Sequence, residues 1–288
     1  MTPSLPQSLS QCMAIARYEF LMLWRQRAAP VLTLSLVALP VFFAFFVYGD
    51  AANENLSLLD KMSAAQIQEY AIFITSTVQF FSWAAAYLIL IVLAPLMMSE
   101  IIPKDRQYGV REILDALPLG AGTYLNGKML GAVAVALSGL VGAMIIVTIF
   151  WKVMFREIYL PMILSAWLGG GGALILLNTT TAILLAAGQP TRKRAFAISA
   201  LFTFACLVLM TVAVASHNGV IDYAWWEIAS PARSPFYSYF IDGTFETMSG
   251  SIYSTNFDSV TALWQTVGVG LVELGVLWFF ARKYVQTR

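Results

Sequence analysis

Charge is what this chain has least of. Lys, Arg, Asp and Glu make up only 11% of its 288 residues, while 59% are hydrophobic. A water-soluble domain carries roughly 25% charged residues, so an ordinary soluble fold is excluded. Histidine is nearly absent as well. His217 is the sole one, with no second His or Cys beside it, which argues against a metal site. The two cysteines give no framework, because Cys12 precedes the first apolar run and Cys206 lies inside a later one. A cleavable leader is also missing: the first apolar run starts near residue 28, is too long for a leader core and has no small-residue cleavage site after it. An intramembrane hydrolase or transferase needs a nucleophile with a base, or a convergent carboxylate pair. The apolar runs offer hydroxyls such as Thr179, Thr180 and Thr181, no histidine, and one carboxylate, Glu273. The chain is therefore not expected to be an enzyme. A net charge of +1 gives no reason to expect a nucleic-acid partner.

What the chain has in abundance is long uncharged windows. Crossing a hydrocarbon core of ~30 Å takes about 20 residues. Six windows qualify, five of them uncharged and the last carrying only Glu273: 30–48, 71–98, 129–150, 160–188, 195–215 and 262–280. The expected fold is all-α and polytopic, with an N-terminal segment over 1–29 followed by a six-helix transmembrane domain over 30–288. Gly169–Gly172 should loosen the fourth span or admit a neighbour closely. Pro40, Pro95 and Pro161 fall in or at the ends of spans, where membrane helices tolerate them. With six spans, the N-terminus, the loop 100–128, the turn 189–194 and the C-terminus share one side. Of the 17 Lys and Arg residues, 13 fall on that side and only Lys61, Lys152, Arg156 and Arg233 on the other. The asymmetry places both termini in the cytoplasm and the chain in the cytoplasmic membrane. The outer loop 216–261 holds Trp225, Trp226, Phe236, Tyr237, Tyr239 and Phe240, a composition suited to the bilayer interface.

Gly122 to Lys128 reads G-x-x-x-x-G-K, the outline of a phosphate-binding loop. Position eight is Met129, where that loop needs Ser or Thr to hold Mg²⁺, and the segment opens a membrane span instead of following a buried strand. Lys128 is better read as an anchor at the cytoplasmic end of the third span. The loop before it is more informative. Val110, Ile113, Leu114 and Leu117 make an i, i+3, i+4, i+7 stripe on a short helix over Asp105–Leu117, ended by Pro118. Gly109 permits a bend between two short helical pieces. Arg106, Arg111, Glu112 and Asp115 flank the stripe, as befits an element that lies on a membrane or enters a groove on a partner.

At Glu100, Gly109, Leu114, Leu117, Pro118, Gly127 and Lys128 the chain resembles the membrane subunits of ABC-2 type ATP-binding-cassette exporters, whose first cytoplasmic loop commonly carries this order of residues. Val110 departs from it, since Thr is frequent after the glycine. The resemblance implies a coupling helix near 100–117 that docks on a cytoplasmic ATP-binding subunit, with Glu100, Arg106, Gly109, Arg111, Glu112, Leu114, Asp115, Leu117 and Pro118 as the coupling residues. It further implies an interfacial elbow helix over 10–28, short re-entrant helices before the last span, and a second permease copy or paralogue in the bilayer. No cofactor binds this chain; ATP and Mg belong to the partner ATPase. On a helical wheel, however, Arg17, Glu19, Arg25 and Arg27 share no face, so the elbow lacks a clear amphipathic pattern.

Glu273 is the one formal charge well inside an apolar window. A carboxylate there costs roughly 2.5–3.5 kcal/mol on insertion scales, so it should face protein or water. It serves either as a group on a transport pathway or as a carboxylate satisfied by hydroxyls or indoles of a neighbouring helix. The expected function is export of a hydrophobic or amphiphilic substrate. The alternative is an ATP-independent membrane protein: a secondary transporter that uses Glu273, or an assembly or sensor protein.

Overall fold

The computed structural model describes residues 5–59, 86, 88–110, 119–155, 163–164, 167–168, 171–217 and 259–287. All regular structure among them is helical. Helix α1, Leu5–Arg25, is followed after two residues by α2, Ala28–Leu59. Arg27 takes a left-handed φ of 64° to make that turn, and its N–H donates to the Trp24 carbonyl. A helical stretch over 88–98 leads to a short helix α3, Ile101–Gln107. Pro103 is accommodated in the first turn of α3, where no intrahelical N–H bond is lost. Helix α4, Ala121–Phe155, is the longest. Gly172–Leu174, Ile175–Thr179 and Thr180–Ala187 then run on as one rod, α5, whose middle piece has wide π-type turns just after the glycine run. Helices α6, Arg192–His217, and α7, Ser259–Thr287, complete the order.

Two axes organise the packing. Helices α1 and α2 both lie along α4, whereas α3, α6 and α7 gather around α5. Leu32, Leu36, Leu90, Leu125, Leu140 and Trp151 are fully buried between them. Thr33 on α2 donates its hydroxyl to the Ala29 carbonyl and to the Gly139 carbonyl of α4, at 2.9 and 3.2 Å, so the side chain fastens one helix to the other.

Helix α4 is long and apolar enough to cross a membrane: Ala121–Val153 has a mean hydropathy of 2.5 over its best window. At 1.5 Å per residue the whole helix is about 50 Å long, against ~30 Å of hydrocarbon. Only 39% of that window is buried, unlike the core helix of a soluble protein. Ile145, Ile149 and Val153 face outward at i, i+4, i+8. Helices α6 and α7 present similar outward faces through Leu201 and Phe204, and through Val272, Val276 and Phe279.

The windows 30–48, 129–150, 195–215 and 262–280 fall within α2, α4, α6 and α7. Of 71–98, the described part is helical from 88 onward, and of 160–188 the part from 171 to 187. Of the loop expected over 216–261, residues 218–258, which hold the aromatic residues, lie outside the described residues, and 216–217 and 259–261 belong to α6 and α7; the segment 60–85 also lies outside the described residues. Cys12 and Cys206 are free and buried.

Candidate functional site

The wheel of α1 is uninformative only while charge is assumed to face water. Cys12, Ala16, Glu19 and Leu23 form its buried stripe, at i, i+4, i+7 and i+11, and Glu19 is fully buried. Leu9, Met13, Leu21 and Trp24 are exposed on another face, with Arg17 and Arg25 also exposed. A carboxylate in the middle of the contact stripe hid the amphipathic pattern.

Two glycines let α1 approach α4 at contact distance. A Cβ added at Gly127 would lie 2.7 Å from Ile15 Cβ and 2.9 Å from the Cys12 carbonyl oxygen. One added at Gly131 would lie 2.6 Å from Glu19 Cβ and 2.7 Å from the Ala16 oxygen. Gly127-Lys128-Met129-Leu130-Gly131 is thus a small-xxx-small crossing, the device by which helices approach closely without a hydrophobic driving force.

Lys128 stands between these glycines and is only 3% exposed. Its ammonium pairs with Glu19 of α1 and, at 2.6 Å, with Asp105 of α3. The Tyr124 hydroxyl donates to the same Asp105 oxygen at 2.7 Å. Three helices therefore meet on one buried charge cluster. Burial raises the Glu19 carboxyl above its ordinary range; the Lys128 charge pulls it down, and Asp105 pushes it up again. The direction is upward because desolvation outweighs the single cation, which Asp105 shares.

The other polar ties lie at the same end of the bundle. Glu100, which precedes α3, pairs with Arg192 at the start of α6, where Nε donates at 2.8 Å. Arg106 donates to the Gln189 carbonyl at 2.9 Å and lies over the Tyr284 ring of α7 at 5.6 Å. Lys104 donates to Gln26 in the α1–α2 turn at 2.9 Å. Trp278 of α7 donates to Asn126 of α4 at 2.8 Å, and Arg282 lies over its indole. A cavity of about 390 Å³ opens between α5 and α7, lined by Leu184, Leu185, Gly188, Leu277, Phe280, Ala281, Lys283 and Tyr284. No group of His, Cys, Asp and Glu among the described residues is arranged to hold a metal.

The proposed coupling residues divide accordingly. Glu100 and Arg106 take the contacts just given. Gly109 turns the chain with φ of 66°, and no described residue lies within 4 Å of where a Cβ would sit, so its positive φ is the constraint the structure shows. The first helical piece of the loop spans Ile101–Gln107, beginning before Asp105. Arg111, Glu112, Leu114, Asp115, Leu117 and Pro118 lie outside the described residues. Glu273 is half-buried on α7, within Coulombic reach of Cys206 on α6 and apart from the charge cluster. Asp105 and Glu19 are not among the site residues the sequence points to; the sequence pattern makes Asp105 only the first residue of a short helix. The available signal was the i+4 glycine pair around Lys128.

Neither a family model nor a curated protein matches the chain.

The Glu100–Arg192 pair and the cluster should behave differently on mutation. Their side chains are 30% and 37% exposed, so Glu100→Gln should cost no more than about 1 kcal/mol in detergent melts. A larger loss would mean that this pair shares the burial of the cluster.

Proposed function

We propose that this chain is the permease subunit of an ATP-driven exporter, with six transmembrane helices, both termini in the cytoplasm and a hydrophobic or amphiphilic substrate. One observation carries the reading. The four segments that the charge asymmetry assigns to the cytoplasm are joined by direct contacts: Glu19 with Lys128, Glu100 with Arg192, Arg106 with Gln189, and Arg106 with Tyr284. Helices that cross a bilayer alternately and share a cytoplasmic end bring together these segments and no others.

In this reading a separate cytoplasmic ATPase, which binds ATP and Mg, docks on the loop 100–128. Two permease chains, identical or paralogous, enclose the pathway in the bilayer. Closure of the ATPase dimer moves α3. Because α3 is fixed to α1 and α4 through Asp105 and Lys128, and to α6 through Glu100 and Arg192, its displacement reaches both axes of the bundle. Outward apolar faces on α4, α6 and α7 suit contact with lipid and with a second permease. Nothing in this mechanism requires catalysis by the chain itself.

Leu114→Asp combined with Asp115→Arg should abolish docking while leaving the helices folded. Co-purification of the ATPase should fall at least ~tenfold, equivalent to ~1.4 kcal/mol of binding. Undiminished co-purification with the double variant would place the docking surface elsewhere.

A further inference from the structure

The cluster under α1 has an odd charge. Glu19 and Asp105 contribute two negatives and Lys128 one positive, all less than 10% exposed. Opposite charges in a dry site are tolerated as balanced pairs, and a leftover charge is expensive. The two carboxylates are not equivalent. Asp105 receives both the Lys128 ammonium and the Tyr124 hydroxyl on Oδ2. Glu19 receives Lys128 on Oε2 alone, and its Oε1 is buried with no hydrogen-bond partner. A bare carboxylate oxygen out of water is among the costlier groups a protein can bury.

We propose that the cluster is a proton-binding site, in which Glu19 takes up one proton from solvent when α1 docks, so that docking of α1 onto α4 and α3 is proton-linked. With the proton on Oε1, Glu19 is neutral and Lys128 and Asp105 form a balanced pair. Without it, the cluster holds one net negative charge. The groups that face Glu19 are Lys128 from α4, and Asp105 and Lys104 from α3, with the Tyr124 hydroxyl on Asp105 behind them. Helix α2 offers no titratable residue between Ala28 and Val47. Burial raises the Glu19 carboxyl, in keeping with this assignment.

The sign follows from linkage. Docked α1 holds Glu19 with a higher proton affinity than undocked α1, where the carboxyl is in water. Docking is therefore strongest in acid and weakens as pH rises through the docked-state value, by up to tenfold per pH unit within that window. The same logic gives an outcome that a simple salt-bridge account does not. Glu19→Gln removes one ionic contact yet leaves a balanced Lys128–Asp105 pair, so it should hold α1 docked at high pH. Asp105→Asn should do likewise from the other side, by leaving Glu19 paired with Lys128. The proposal concerns α1 docking alone and stands whether or not an ATPase binds the chain.

Cys12 supplies the readout, because it sits in the α1–α4 contact and is buried. In full-length Cys206→Ser protein, its maleimide labelling rate would be followed from pH 6 to pH 9, for the native cluster and for Glu19→Gln. Taking the ratio at each pH cancels the intrinsic reactivity of the thiol. The ratio should rise with pH, by up to tenfold per pH unit within the docked-state window. A flat ratio, or slower labelling of the native cluster at high pH, would overturn the proposal. If Glu19→Gln fails to fold, Asp105→Asn serves as the reference with the same expected rise. Failure of both to fold would itself contradict the proposal, since each is expected to be at least as stable as the native cluster at high pH.

Discussion

Lys128→Met should be the most damaging single substitution in the described part of the chain. It leaves Glu19 and Asp105 facing each other in a dry site without a counter-charge. Removing one member of a buried ionic cluster typically costs 3–5 kcal/mol, roughly, because the remaining charge keeps its desolvation penalty. Detergent melts of the full-length protein should show that loss. At pH above the docked-state value of Glu19, where both carboxylates are charged, adding Glu19→Gln to Lys128→Met should recover a substantial part of it, since only one carboxylate then remains and Tyr124 still donates to it. A Lys128→Met protein as stable as the parent would mean that the cluster is solvated. Absence of recovery in the double variant would mean that Lys128 acts through packing of its stem and not through charge.

The second large effect belongs to the α1–α4 crossing. At Gly131 the missing Cβ would fall 2.7 Å from a backbone oxygen of α1, and a carbonyl cannot rotate away as a flexible side chain can. Gly131→Leu must therefore push the two helices apart. Overpacking of this kind costs ~1–3 kcal/mol, which corresponds to about five- to 150-fold more α1 undocked. Labelling of Cys12 in the Cys206→Ser background should accelerate by that factor at any pH. Gly109→Ala offers a contrast, because its added Cβ meets no described residue and its penalty there is the φ of 66°. Unchanged Cys12 labelling in Gly131→Leu would refute the close approach.

These two effects locate what could be read in the chain and what could not. Helices were legible wherever burial or outward apolar exposure leaves a long uncharged window, as in α2, α4, α6 and α7. The bend at Gly109 was legible because a glycine between two short helical patterns has few other uses. The meeting of the N-terminal segment, the loop 100–128, the turn 189–194 and the C-terminal helix at one end of the bundle agrees with where Lys and Arg are placed, a property of the whole chain. What failed was local pattern at α1. Hydrophobic periodicity assigns a charge to the solvent side, and Glu19 is buried because its partner lies 109 residues away on α4. Asp105 was misplaced for the same reason, its partners Lys128 and Tyr124 being out of reach of any local window. The glycines around Lys128 were visible but matched a phosphate loop in outline, which drew attention from their i+4 spacing.

An exporter subunit must receive a separate ATPase at the end of the bundle that carries α3. A C-terminally tagged chain would be drawn from its native membranes in mild detergent and its partners identified by mass. A cytoplasmic ATPase in stoichiometric amount is the predicted result. Its reproducible absence, with the membrane protein intact and α1 docked by Cys12 protection, would contradict the exporter reading.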